Sequence, residues 1–271
     1  MTSHHEDRRR AGSFGEDAER YDRARPSYPA ALFDDLVGQA PTGPVPRVLD
    51  VGCGTGIAAR ALVARGCAVV GVEHDERMAA LARTHGLEVE VATFESWDAG
   101  GRQFDLVTAA QSWHWIEPVQ GARRAAAALC PGGRWAGFWN LAVHDPAAEA
   151  ALDAVYELVA PDLRQDSVTR LATMHPELVG AELDAFAATG GFEEHEMRSY
   201  AWTRHYSTDE WLDQLGTHSN HRVLPAATLE ALLDEIGVAL DGLGGSIEVR
   251  YDTVLYTLVR RRGSAERGFS E

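Results

Sequence analysis

The residues best placed to do chemistry are Asp50-Val51-Gly52-Cys53-Gly54-Thr55-Gly56, which follow the apolar run 47–51 and precede an Ala/Leu/Arg-rich stretch. Glycines at such a turn let a ligand approach the backbone where a Cβ would stand in the way, and the N–H groups opening the next helix attract a carboxylate or phosphate. Asp50 lies two residues before the first glycine, and Glu73 ends the next apolar run (67–75), where a carboxylate can grip two ribose hydroxyls. The pattern is G-x-G-x-G. The dinucleotide fingerprint G-x-G-x-x-G would want Gly or Ala where Ile57 stands, so a ribose-bearing cofactor other than a nicotinamide dinucleotide is favoured.

A second group of candidates follows the run FDLVTAA (104–110): Gln111 and Trp113-His114-Trp115. The carboxyl end of such a strand borders the crevice where open α/β sheets bind ligands. His114 is therefore a candidate general base or acceptor contact, set against the reading that it is a hydrogen-bonded structural histidine. Trp139 and Asn140 end the fifth apolar run and are candidate pocket residues. His218, Asn220 and His221 form a polar cluster that suits either a helix end or an acceptor contact. His218 and His221 have H-x-x-H spacing but no identifiable third ligand, so no metal site is expected.

These residues need a scaffold, and the periodicity supplies one. Strands are predicted over 47–51, 67–75, 87–94, 104–110 and 134–142, alternating with helices over 57–65, 76–86 and 118–130, the last stopped by Pro131-Gly132-Gly133. That alternation predicts a parallel sheet covered on both faces. Residues 144–190 have helical spacing, 196–207 and 246–261 alternate as strands, STDEWLDQL opens with a helix cap, and 229–243 is a further helix. Residues 1–13 and 263–271 are polar and expected to fray.

At 271 residues with 45% hydrophobic and 24% charged, the chain matches a single elaborated α/β unit able to bury a full core. All 25 basic residues are Arg. Without Lys there is no Schiff-base nucleophile, no pyridoxal anchor and no P-loop lysine. The net charge is −16, and residues 141–259 hold 21 acids against 6 Arg whereas residues 48–140 hold 10 against 8. The acidity argues against a nucleic-acid or anionic-membrane partner. No apolar run approaches a membrane span, the N-terminus lacks a secretory pattern, and Cys53, Cys67 and Cys130 fit neither a disulfide framework nor a zinc site, so a cytoplasmic setting is expected.

The ordered segments VLDVGCGTG, VVGVEHD, FDLVTAAQSWHWI and ALCPGGRWAGFWN resemble the signatures of class I S-adenosylmethionine-dependent methyltransferases, within the small-molecule (type 11) branch that includes trans-aconitate-type enzymes. FGEDAERYDRARPSYP resembles that branch's lead-in helix. The resemblance covers about residues 14–142 and implies a Rossmann-like α/β fold: a seven-stranded, mostly parallel sheet with helices on both faces, an antiparallel C-terminal edge strand and a helical cap. It implies a lead-in helix or lid over 1–46, a cofactor core over 47–143, a cap with closing strands over 144–262, and a tail over 263–271.

It also implies site roles. Asp50, Gly52 and Gly54 would lie under the methionine portion of S-adenosylmethionine, Glu73 with His74 at the ribose, and Thr93, Phe94 and Glu95 around the adenine. Many relatives carry Asp where Glu95 stands. Gln111 and Trp113 would approach the sulfonium, with Tyr21 and Arg25 closing over the cofactor and Arg25 meeting its carboxylate. Tyr28, Trp115, Trp139, Asn140, His218 and His221 would face a small-molecule acceptor, and His114 would orient or deprotonate it. The expected products are the methylated acceptor and S-adenosylhomocysteine, from a monomer or homodimer. Two other readings stay open: a cofactor-binding cyclase or scaffold that transfers no methyl group, and a nicotinamide oxidoreductase.

Overall fold

The structure, a computed structural model, describes residues 14–40, 43–163, 180 and 182–262. The expected fraying of 1–13 and 263–271, and residues 164–179 and 181 of the helical stretch expected over 144–190, lie outside the described residues.

Seven strands form one sheet: β1 (Arg47–Val51), β2 (Ala68–Glu73), β3 (Glu88–Val91), β4 (Phe104–Ala110), β5 (Leu129–His144), β6 (Phe192–Ser207) and β7 (Ser246–Arg260), in the order β3-β2-β1-β4-β5-β7-β6. β1 to β5 pair in parallel, while β7 runs antiparallel to both β5 and β6. The reversed strand is therefore inserted one place in from the edge, which β6 occupies.

Alternation along the strands divides the core. Leu49, Val51, Val107, Ala109 and Trp135 face one side, where α5 (Pro118–Ala128) and a helical segment at 182–188 cover them. Val48, Leu106, Ala136 and Phe138 face the other, under α2 (Ala30–Gly38), α3 (Ile57–Val63) and α4 (Glu76–Thr84). β1 and β4 are buried on both faces, and burial of such continuous Val/Leu/Ala runs stabilises the sheet by about 25 cal/mol per Å².

β5, β6 and β7 have 15 or 16 residues each, against four to seven in β1–β4. Ala110 at the end of β4 pairs with Phe138, so residues 139–144 run on for roughly 20 Å beyond β4, paired with β7 alone. This extension carries a third core, built from Leu152 and Tyr156 of α6 (Pro146–Val159), Trp211 and Leu215 of α7 (Thr208–Leu215), Leu232 and Ile236 of α9 (Ala226–Gly242), and Val249 and Tyr251. α7 starts with the expected cap, a box in which Ser207 and Glu210 bond each other's backbone N–H. A single turn, α8 (Ser219–Arg222), joins α7 to α9.

The lead-in is broken. A 3₁₀ turn (Phe14–Asp17) and α1 (Ala18–Ala24) are separated from α2 by Pro26 and Pro29, which end and restart the helical path. α1 is bolted on both sides. Asp22 takes two bonds from Arg60 (2.8 and 3.1 Å) on the core side. On the other, Arg20 and Arg23 pair with Asp213, Arg25 donates to the Thr217 carbonyl (2.9 Å), and Arg222 pairs with Glu16.

Candidate functional site

The site forms where β1, β2 and β4 end together, roofed by α1. Gly52, Gly54 and Gly56 all have positive φ (64°, 57° and 88°), a backbone that side chains disfavour. Gly52 N–H and Cys53 N–H donate to the Val72 carbonyl, which ties the loop to β2. Glu73 fastens it further: one carboxylate oxygen accepts Gly54 N–H and the other accepts Asp75 N–H, each at 2.9 Å, with His74 Nδ1 also at 2.9 Å. Glu73 is thus a buried, preoriented carboxylate at the loop's rim, and a carboxylate oxygen keeps lone pairs for further donors.

Space at Gly52 is limiting, because a Cβ there would stand 2.6 Å from Ser112 Cβ. Ser112 cannot retreat, since its hydroxyl donates to the Val51 carbonyl at 2.5 Å. Gly52→Ala is expected to cost roughly 2–3 kcal/mol in chemical denaturation. Adding Ser112→Gly should recover the steric share, read as a coupling in a double-mutant cycle; additive losses would show that the clash is not the cause.

Asp50 is fully buried. Thr108 donates to its Oδ1 at 2.7 Å, while Oδ2 has no protein partner. Burial, opposed by the Thr108 bond and reinforced by the Glu73 charge, raises its pKa to about 7. Tyr28, packed edge-on against Phe138 (4.9 Å), lies within electrostatic reach of Asp50, Tyr21 and Arg25, so the lead-in's aromatic and cationic groups converge above Asp50. The Arg25 guanidinium sits 4.9 Å over the Tyr21 ring, and among the described residues it makes no ion pair; its Nε is buried without a partner.

Past β4 the backbone turns sharply: Gln111 has φ +56°, the one non-glycine in the left-handed region among the described residues. Its N–H donates to the Phe138 carbonyl. Such a strained residue persists only where its surroundings over-determine it, and these cluster at functional sites. The turn delivers His114 and Trp115 to the crevice side, with Phe14 edge-on to both Tyr21 and Trp115. Trp139 Nε1–H donates to His114 Nδ1 at 3.2 Å.

Several of the expected site residues lie in the packed interior or are engaged in structural hydrogen bonds. Trp113, expected near the sulfonium, is wholly buried, stacked on Phe186 and edge-on to Trp135. Past the Gln111 turn Trp113 faces inward, while His114 lies against Trp139 and Trp115. Phe94, expected beside the adenine, is buried against Trp97 and Trp113. Asn140 spends its amide on structure, donating to the Ser27 carbonyl and accepting from Thr253. His221 is buried, with Nε2 2.8 Å from the Tyr156 hydroxyl and Nδ1 bonded to Asn220; burial and the Arg25 charge depress its pKa to about 4. It is a packed neutral histidine. His218 precedes α8, its ring 5.5 Å from that of His221. Among the described residues no His/Cys/Asp/Glu cluster could hold a metal ion.

Thr93 and Glu95 lie past β3, where Glu95 accepts Glu117 N–H and Thr93 pairs with Ser96. Residues that the sequence did not single out include Ser112, which props the glycine loop, and Arg20, whose guanidinium lies against Gly216 where a Cβ would collide. Neither has a local signature, since their partners are 60 to nearly 200 residues away.

A doubly wound seven-stranded sheet with a ribose-ready acid beside a glycine loop defines a nucleoside-cofactor-binding α/β class. The comparisons sharpen this. Residues 48–133 match the family described as methyltransferase domain. A 133-residue stretch is 39% identical to an uncharacterized methyltransferase of Mycobacterium tuberculosis, covering 47% of this chain and 52% of that one. A 104-residue stretch is 36% identical to the ubiquinone biosynthesis O-methyltransferase of Bordetella avium, covering 35% and 42%. The chain thus spans about half the length, or less, of these curated relatives. A solved structure from Anaeromyxobacter dehalogenans, provisionally assigned as a type II methyltransferase, superposes with a TM-score of 0.62 at 26% identity over 86% of this chain and 97% of that one. Residues 48–133 are thus similar to a methyltransferase domain, and the fold over most of the chain is similar to that of the Anaeromyxobacter structure.

Proposed function

We propose that this protein transfers the methyl group of S-adenosylmethionine to a small-molecule acceptor. The observation that carries this reading is the loop of Gly52 and Gly54 pinned to the Glu73 carboxylate, with the orphaned Asp50 Oδ2 beneath. The groups present fit the cofactor: a loop of positive-φ glycines, a carboxylate for a ribose diol, and a buried acid oxygen lacking a protein donor. Glu73 and His74 would hold the ribose, Asp50 the ammonium, and Arg25 with Tyr21 the carboxylate. Thr93 and Glu95 would rim the adenine, and Gln111 would border the sulfonium. When bound, the cofactor supplies a cationic, electrophilic methyl group.

The chain's own part is placement. α1 and Trp115 exclude water, and Tyr28, Trp115, Trp139 and His114 wall the acceptor space. Holding two reactants at attack distance supplies ~7–11 kcal/mol of barrier reduction. Residues 47–143 would serve the cofactor, and 144–262, with most of the negative charge, would cap the acceptor, which disfavours polyanionic and nucleic-acid acceptors. Among the described residues no helix is long and apolar enough to cross a membrane, and we place the enzyme in the cytoplasm as a monomer or homodimer.

Thermal shift separates the readings. S-adenosylhomocysteine at 100 times its Kd should stabilise the protein by about 2.7 kcal/mol, and NAD should not. Stabilisation by NAD alone would overturn the assignment. Homocysteine-cofactor binding without turnover on a broad acceptor panel would mark a binder that transfers no methyl group.

A further inference from the structure

We propose that β6 is the docking edge for a second copy of this chain, the two β6 strands pairing antiparallel about a two-fold axis at Tyr200; this goes beyond the methyl-transfer reading and does not depend on it.

A strand at the margin of a sheet carries a row of backbone N–H and C=O groups with nothing to pair. Proteins blunt such edges by keeping them short, by placing Lys or Pro on them, or with a bulge. The two edges of this sheet differ in that respect. β3 has four residues, two of them acidic. β6 has sixteen, with no Pro and no Lys, and within the sheet it pairs with β7 alone. Its one register irregularity lies between Glu193 and His195, at the start, and from His195 to Ser207 the ladder with β7 is unbroken. Among the described residues, no segment other than β7 bonds the backbone of residues 196–206. The strand is also held in place from within its own chain. Arg198 and Tyr200 donate to the Asp35 carboxylate of α2 (2.9 and 2.6 Å), Trp202 stacks on Tyr251 and donates to Thr253, and Tyr206 shares a hydrogen bond with Tyr251. A preformed edge of this kind pays little ordering entropy when another strand joins it.

The charge pattern says what joins it. Glu193, Glu194 and Glu196 stand toward the start of β6, and Arg204 and His205 toward its end. An antiparallel copy lays the acidic end of one strand along the basic end of the other, which is the self-complementarity that a two-fold interface needs. With the axis at Tyr200, Glu196 falls directly opposite Arg204 of the second copy, and symmetry repeats the match. Both lie on one face of the strand, since Glu196 bonds Arg198 and the Arg204 guanidinium sits 4.4 Å over the Tyr206 ring. Directly opposed residues have Cβ atoms about 4.5–5.5 Å apart, within reach of an ion pair, and Arg204 makes none in its own chain among the described residues. On the other face the exposed side chains are small: Ser199 meets Ala201, and Thr203 covers Met197, a methionine left 53% exposed. A slip of two residues one way would set Arg198 against Arg204, and the other way Glu196 against Trp202. The shared edge, residues 195–205 of each copy, is roughly 35 Å long.

Sedimentation of the full chain at micromolar concentration should give twice the mass of one chain. Residue-resolved hydrogen exchange should find the alternate amides of 196–206 that β7 leaves unpaired exchanging slowly, as the paired ones do. Arg204→Glu sets two carboxylates face to face across the axis and Glu196→Arg two guanidiniums, so each should weaken self-association at least tenfold while moving Tm by only a few degrees. Mixed together, the two variants regain both opposite-charge pairs and should form a dimer with one copy of each. A native chain that stays monomeric, a dimer that both variants leave intact, or a mixture of folded variants that does not associate overturns the assignment. Should either variant fail to fold, exchange in the native protein decides: fast alternate amides in a dimer would put the interface on another face, and slow ones in a monomer would make another segment of the same chain the occupant, and each result overturns it.

Discussion

Glu73→Ala should weaken S-adenosylhomocysteine binding by at least 100-fold in calorimetric titration while lowering Tm by only a few degrees. The carboxylate holds Gly54 N–H and Asp75 N–H and leaves lone pairs at the rim of the loop. On the proposed reading its loss would remove two charge-assisted bonds to a ribose diol, worth ~1.5–3 kcal/mol each, and it would loosen the loop that Gly54 N–H ties to it. Glu73→Gln separates these contributions, since an amide oxygen still accepts from one N–H but carries no charge. A Tm loss with unchanged affinity would make Glu73 a fastener of the loop and nothing more.

The second large effect concerns pH. Asp50 titrates near 7 in the folded protein and near 3.8 in an unfolded chain, so between these values the native state holds a proton that the unfolded state has released. Stability is then lost as pH rises from about 4 toward 7, by up to ~4 kcal/mol for this group. Asp50→Asn keeps the shape and cannot ionise. Its Tm relative to wild type should therefore climb between pH 5 and pH 8, by several degrees, even if the amide nitrogen costs something at both ends. Parallel Tm profiles would show that Asp50 does not titrate in this range. The same substitution should weaken cofactor binding, because the free Oδ2 is the feature that suits an ammonium group.

Sequence and structure agree most where local and global signals coincide. FDLVTAA reads as a strand over 104–110, and β4 has those bounds, because both its faces are buried and every residue supports the same conformation. The start of β5 was not legible: Pro131-Gly132-Gly133 reads as a helix stop followed by a turn, yet Leu129 already pairs with Phe104 before a register shift, so pairing across the sheet outweighs local breakers. The glycine loop and Glu73 were visible because their spacing is itself the chemistry. The burial of Trp113 was not, since the chain's path there depends on one positive φ at Gln111 that periodicity cannot show. His221 looked like a pocket residue because it is polar; the group that satisfies it, Tyr156, is 65 positions away. The clasp between α1 and the segment 212–222 was hidden for the same reason.

The placement of β7 has a consequence for how the chain assembles. Because β7 fills the gap between β5 and β6, synthesis delivers the sheet with its penultimate strand missing. Until residues 246–260 emerge, the sixteen-residue β5 has an open hydrogen-bonding edge, and β6 has no neighbour to pair with. Long open edges of this kind invite pairing with other chains, and contacts so distant in sequence form slowly. A nascent chain stalled before β7 should thus be the species most in need of a chaperone. Truncations within β7 should yield insoluble protein, while β1 to β4, already paired with one another, would be the first part able to acquire stable structure.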